Sequence, residues 1–255
     1  MKSVARKNKN NLLFPMEVQK TLHKNLKFTA TEQYKLIRAN LDFTLPEGEK
    51  CPVIGVTSAM RGEGKSTTAI NISYVLAERG SKVLLIDGDL RIPSVAKKMD
   101  ISASPGLTDL LMNKTPMQFD DFQSDLFKNW YILPSGNIPP NPSELLSSKR
   151  MEVALTVLKE HFDYIVIDLP PVNIVSDAVA ISNLITGMIV VIREEYTERK
   201  ELERCFRQLS LSSVKVLGCV MNETKIGGTS YSKYKKRKYY KYYRKEDAIS
   251  EAEAK

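Results

Sequence analysis

Residues 59–66 read Ala-Met-Arg-Gly-Glu-Gly-Lys-Ser, between a β-rich run, Val53 to Ser58, and a helical stretch, Lys65 to Arg79. A strand, a glycine-containing loop and a helix start in this order aim backbone N–H groups at one point, where they favour an anion. Gly62 and Gly64 allow close backbone approach, Lys65 neutralises phosphate charge, and Ser66 offers a hydroxyl to magnesium. The stretch matches the phosphate loop GxxxxGK(S/T), with Ala59 in place of the first glycine.

Acids occur where such a loop needs them. The segment VLLIDGDLR (83–91) puts Asp87 and Asp89 just past a continuous apolar run, the pattern of a strand covered on both faces. YIVIDLPP (164–171) puts Asp168 at the end of another such run. The C-terminal ends of strands are the edge where open α/β sheets bind ligands. The i, i+2 spacing of Asp87 and Asp89 suits two oxygens on one magnesium shell. Any one of these acids alone reads as a strand-end cap. Three beside a phosphate loop point to Mg-ATP.

Further apolar runs at Trp130–Pro134, Met188–Ile192 and Val214–Met221 alternate with helical stretches at Ser143–His161 and Thr197–Leu209. About six strands alternating with helices imply right-handed βαβ crossovers, hence an α/β fold with a mostly parallel sheet flanked by helices. Upstream, Thr31 to Phe43 places Tyr34, Ile37 and Leu41 at helical spacing, with Thr31 as N-cap and Pro46-Glu47-Gly48 as the stop. The expected layout is an N-terminal arm at 1–28, a nucleotide-binding domain at 29–224 whose first helix lies within 29–45, and a tail at 225–255.

A chain of 255 residues with 42% hydrophobic and 27% charged residues suits one large α/β domain and excludes a wholly disordered protein. Its three cysteines, Cys51, Cys205 and Cys219, form no CxxC, which argues against a disulfide framework or a cysteine zinc site and fits a reducing cytoplasm. The longest apolar run, Leu184 to Ile192, falls short of the roughly 20 residues of a spanning helix. Membrane association is therefore expected through a surface or a partner.

The net charge of +8 is local: Tyr231 to Lys245 holds eight Lys/Arg and no acid, and the remainder balances 30 basic against 30 acidic residues. The same segment carries six of the eleven tyrosines: Tyr231, Tyr234, Tyr239, Tyr240, Tyr242 and Tyr243. Adjacent pairs and interspersed lysines leave no apolar face of helix or strand period, so packing does not explain them. A basic aromatic strip suits single-stranded nucleic acid or an anionic surface. Beside an ATP site, phosphate acceptors are the stronger reading. Six phosphates, each about −1.5 to −2, would reverse the sign of the strip. About 19 residues separate Thr224 from Tyr243, up to ~65 Å when extended, enough to reach its own or a neighbour's active site.

The combination resembles the bacterial tyrosine kinases (BY-kinases) of capsule and exopolysaccharide operons, in the cytoplasmic form paired with a separate membrane adaptor. The resemblance rests on the modified Walker A (Ser58 to Thr67), the A′ segment with Asp87, Asp89 and Arg91, the B segment with Asp168, Pro170 and Pro171, the PPNPSELL stretch (139–146) and the tyrosine cluster. It implies a P-loop NTPase fold related to the MinD/ParA ATPases and autophosphorylation of the tail, in trans within a ring-shaped homo-oligomer. It also implies a polysaccharide co-polymerase adaptor that recruits the chain to the inner face of the plasma membrane, a cognate tyrosine phosphatase, and no nucleic-acid partner.

By the same resemblance, Ala59, Met60, Arg61, Gly62, Glu63, Gly64, Lys65, Ser66, Thr67 and Asn222 bind ATP, and Ser66, Asp87, Asp89 and Asp168 organise magnesium. Lys65, Asp87, Asp89 and Asp168 are catalytic, with Asp87 as the base. The family's ring-contact motif ExxRxxR corresponds to Glu32, Lys35 and Arg38, where the lysine departs from it and lacks the arginine fork. The alternative is a MinD/ParA-type ATPase whose tail binds anionic lipid or nucleic acid. That group carries a signature lysine and a glycine where this chain has Met60 and Arg61.

Overall fold

Each apolar run forms a strand: β1 (Val53–Ser58), β2 (Val83–Asp87), β3 (Trp130–Leu133), β4 (Tyr164–Asp168), β5 (Gly187–Arg193) and β6 (Val216–Asn222). They build one sheet in the order β3-β2-β4-β1-β5-β6, every neighbouring pair parallel. The computed structural model describes residues 26, 28–112, 118–212 and 214–224. The basic N-terminal arm and the tyrosine cluster lie outside the described residues.

The helices that join the strands are α1 (Phe28–Thr44), α2 (Lys65–Glu78), α3 (Val95–Met99), α4 (Leu107–Leu111), α5 (Pro142–Leu146), α6 (Lys149–Lys159), α7 (Asp177–Ala180) and α8 (Arg199–Leu211). Alternation along the strands sorts their side chains onto two apolar layers. Ile54, Val56, Leu85, Ile132 and Val191 pack with Tyr34 and Leu41 of α1 and Ile70, Tyr74 and Val75 of α2. Val53, Leu84, Ile86, Ile165 and Val190 face the other way, onto Leu146, Met151, Leu155, Cys205 and Leu209 of α5, α6 and α8. A sheet covered on both faces explains why its strands read as unbroken apolar runs rather than as alternating ones.

Two details anchor the first layer. Trp130 is fully buried, and its indole N–H donates to Ser73 Oγ at 3.0 Å, which satisfies the one polar atom of the ring. Arg38 of α1 turns inward, and its Nη1 donates to the Val75 carbonyl of α2 at 2.9 Å. Glu32 and Lys35 stay on the outer side and pair with each other at 3.0 Å.

The structure departs from the sequence pattern at several elements. α1 starts at Phe28, so Thr31 lies inside the helix rather than capping it. The stretch from Ser143 to His161 is two helices, because Ser148 leaves helical geometry and caps α6 by accepting from the Met151 N–H. The last strand also starts at Val216, two residues later than its apolar run. Short helices α3, α4 and α7 carry too few turns to show a period in sequence.

Candidate active site

The phosphate loop leaves β1, and the acids end β2 and β4, so three adjacent strands deliver them to one edge. Register makes this close: Asp87 lies opposite Asp168, and Val56 of β1 pairs with Asp168 from the other side. Gly88 lets β2 and β4 approach here, since a Cβ on it would stand 2.8 Å from Ile167 Cγ2 and 3.0 Å from the Asp168 carbonyl.

Within the loop, Gly62 (φ +80°) and Gly64 (φ +95°) occupy the left-handed region that suits glycine. A Cβ on Gly64 would meet Asn222 Nδ2 at 2.0 Å. Gly64 opens α2 with no side-chain cap, which leaves the leading N–H groups of a 14-residue helix for an anion. Ala59 has no positive φ and is fully buried, which explains how alanine replaces the first loop glycine without strain. Glu63 is buried too; its Oε2 accepts from the Met60 N–H at 2.8 Å, and the Thr197 hydroxyl donates to its Oε1. The Thr67 carbonyl accepts from Asn71 Nδ2 at 2.7 Å, while Arg61 is exposed.

Lys65 is the hub. Its Nζ lies 2.7 Å from Asp89 Oδ2, 3.5 Å from Asp168 Oδ1 and 3.4 Å from Ser66 Oγ. Burial disfavours its charge, but Asp168 and Asp89 outweigh that and raise its pKa. Asp89 Oδ1 accepts from the Ile92 N–H at 3.1 Å. Asp87 Oδ2 accepts from the Ser94 and Val95 N–H groups at the start of α3, at 3.0 and 2.9 Å, and its Oδ1 accepts from the Asp89 N–H at 3.3 Å. Burial, with the charge of Asp168 second, nonetheless pushes Asp87 up to about 7. Burial also raises Asp168, against the opposing pull of Lys65 and the Ser66 hydroxyl.

Among the described residues, no three His, Cys, Asp or Glu side chains stand ready to enclose a metal ion, and a lysine sits between the acids instead. That fits magnesium carried on a nucleotide, which takes one or two protein ligands and fills the rest of its shell with phosphate and water. The observation in favour is Asp168 Oδ2, fully buried with no hydrogen-bond partner, beside the Ser66 hydroxyl.

Arg91 does not face the loop. Its guanidinium grips the buried Asp177 with Nε at 2.9 Å and Nη2 at 3.0 Å, so it ties the end of β2 to α7. Arg193 at the end of β5, and Tyr196 and Thr197 in the connection from β5 to α8, do reach the loop. Sequence reading passes over them because they form no motif and no period.

The sequence model of the AAA domain family matches residues 51–211. The chain is 37% identical over 235 residues to tyrosine-protein kinase YwqD of Bacillus subtilis (strain 168), covering 92% of this chain and 95% of that one. It is 34% identical over 222 residues to the putative tyrosine-protein kinase CapB of Staphylococcus aureus, covering 87% and 93%. The chain belongs to the bacterial tyrosine-protein kinases. Among solved structures, the kinase is similar to the chimerical protein CapA2B2, with a TM-score of 0.73, 32% identity and coverage of 79% of this chain and 88% of that one. The septum site-determining protein MinD of Pyrococcus horikoshii OT3, complexed with Mg-ADP, matches with a TM-score of 0.55 and 25% identity, covering 67% and 70%. The kinase is thus built on the P-loop NTPase scaffold of MinD rather than on an unrelated frame.

Proposed function

We propose that this chain transfers the γ-phosphoryl group of ATP to tyrosine, first to Tyr231, Tyr234, Tyr239, Tyr240, Tyr242 and Tyr243, and thereby regulates capsule or exopolysaccharide synthesis and export. The observation that carries the reading is the convergence of the phosphate loop and three strand-end acids on Lys65, in a chain 37% identical to a tyrosine-protein kinase.

Phosphoryl transfer asks a protein mainly for positioning and charge neutralisation. Lys65 and the loop N–H groups hold the β- and γ-phosphates. Lys65 can turn from Asp89 and Asp168 to the phosphates as these arrive. Magnesium, held through Ser66 and Asp168 with Asp89 beside them, neutralises phosphate charge when bound. The acceptor phenol, at pKa ≈ 10, is only about 0.1% ionised at neutral pH and needs a base. Asp87 serves as that base, since its pKa is raised to about 7 and its Oδ1, which accepts only from the Asp89 N–H, keeps a second lone pair. The phenolic oxygen bonds to the γ-phosphorus as the bond to the ADP oxygen breaks, and the phenolic proton passes to Asp87.

Of the proposed ring-contact residues on α1, Glu32 and Lys35 lie on the outer side while Arg38 is bonded inward to the Val75 carbonyl, and the helix also exposes Leu36 and Phe43. Large apolar side chains on the outer face of a helix support a packing partner there. Among the described residues, no helix is long and apolar enough to cross a membrane, so membrane recruitment in this reading runs through the adaptor.

The rival reading, a partition-type ATPase with an anion-binding tail, shares the nucleotide site and differs in the acceptors. Replacing the six tail tyrosines with phenylalanine is expected to abolish transfer of label from γ-labelled ATP to the protein. Undiminished labelling of that variant would move the acceptors elsewhere.

A further inference from the structure

Four consecutive carbonyls of the phosphate loop are each held by a side chain. Ser58 Oγ donates to the Met60 carbonyl at 2.7 Å, and the Tyr196 hydroxyl donates to that of Arg61 at 3.1 Å. Arg193 Nη1 donates to the Gly62 carbonyl at 3.1 Å, and Asn222 Nδ2 to that of Glu63 at 3.0 Å. Thr197 completes the set through the Glu63 carboxylate, which itself pins the Met60 N–H.

In a planar trans peptide the N–H points opposite to the C=O. Carbonyls 61, 62 and 63 held outward therefore turn the N–H groups of Gly62, Glu63 and Gly64 the other way, alongside the uncapped start of α2. We infer that Arg193, Tyr196 and Asn222 are positioning residues that preset the loop as a phosphate cradle by binding its carbonyls from outside. A loop left free would have to order itself, and turn its carbonyls from the phosphates, each time a nucleotide bound; presetting removes that cost.

The donors are themselves fixed. The Arg193 guanidinium stacks 4.9 Å from the centroid of the Tyr196 ring. The connection that carries them is a closed turn: the Tyr196 and Thr197 N–H groups donate to the Arg193 carbonyl, the Arg193 N–H donates to Thr197 Oγ1, and Glu195 adopts φ +58°. Tyr196 also lies directly on the loop, since a Cβ on Gly62 would stand 3.4 Å from its hydroxyl. Asn222 reaches the loop from the end of the neighbouring strand, so two separate elements grip one segment.

The inference rests on reading the loop as a nucleotide site, and its test keeps the two apart. Binding of ADP in the presence of magnesium is titrated calorimetrically for the full chain and for Tyr196→Phe, Arg193→Met, Arg193→Lys and Lys65→Met. KM, kcat and melting temperature are measured alongside. Tyr196→Phe should weaken ADP about fivefold and Arg193→Met about tenfold or more, the losses typical of one neutral and one charged hydrogen bond. Arg193→Lys, which keeps a charged donor, should recover part of that loss. KM for ATP should rise in step while kcat holds within about twofold, the mark of lost ground-state binding. Wild-type binding that both Tyr196→Phe and Arg193→Met retain unchanged overturns the brace and leaves the nucleotide site standing. Lowered melting temperatures with unchanged KM also overturn it, since the residues would then be structural only. A wild type that binds ADP no better than Lys65→Met overturns the nucleotide site and the brace together.

Discussion

Lys65→Met is expected to cut ATP-dependent tyrosine phosphorylation by at least about 10²–10³-fold and also to destabilise the fold at neutral pH. The first effect follows from removing the cation that this reading places at the phosphates, where a single electrostatic contact is worth about 10²–10³ in rate. The second follows from what the lysine leaves behind. Asp89 and Asp168 are both buried, and Lys65 is the cation 2.7 and 3.5 Å from them. Breaking such a pair from one side costs about 3–5 kcal/mol.

The pH dependence has a definite sign. The pKa of Lys65 is raised in the folded protein, so its contribution is complete below the unfolded lysine value and intact through pH 5–8. In the variant, Asp168 loses the partner that opposed its burial, and its already raised pKa climbs further. The deficit relative to wild type should then be largest above neutral pH and narrow as acid protonates the carboxylates. Urea denaturation at pH 5 and pH 8 reads this directly. An equal deficit at both would mean that Lys65 does not neutralise these acids.

The second large effect belongs to Asp87. Asp87→Asn is expected to cut kcat by about 10²–10⁴, the range for a lost general base. In the wild type kcat/KM, which reports the free enzyme, should climb with pH through about 7, where Asp87 ionises, and the variant should lack that step. Stability should run the opposite way. Asp87 titrates at about 7 when folded and near 3.9 when unfolded, so between these values the folded state binds the extra proton. Wild-type stability therefore falls as pH rises from about 4 to about 7, and the variant should show a flatter profile. Asn also removes a buried charge that faces Asp168, so the variant should be at least as stable as wild type at pH 8. A variant that lost activity and kept the wild-type stability slope would separate Asp87 from the titration assigned to it.

The parts that sequence made legible share one property: they depend on short, local chemistry. β1, β2 and β4 read as apolar runs because both faces of the sheet are covered, and their ends carry Asp87 and Asp168 because a ligand edge tolerates acids. Gly62 and Gly64 marked the loop because its backbone requires left-handed φ. What depends on distant partners was not legible. Ser147 and Ser148 lie inside a good helical pattern, and only the capping bond of Ser148 to Met151 splits it. The grip of Arg91 on Asp177 spans 86 positions, and that of Tyr196 on the loop spans 135. Such pairs leave no spacing rule to read. The bonds from α3 to Asp87 are of the same kind, because a five-residue helix shows no period yet supplies two donors to a central acid.

The most direct measurement is to map phosphate on the purified chain after incubation with Mg-ATP and host membranes, by peptide mass spectrometry, with Lys65→Met as the control. Phosphotyrosine between Tyr231 and Tyr243 in the wild type, absent from the control, is the expected result. ATP hydrolysis with every tail tyrosine unmodified would contradict the kinase reading, and would leave a P-loop ATPase with a basic aromatic tail.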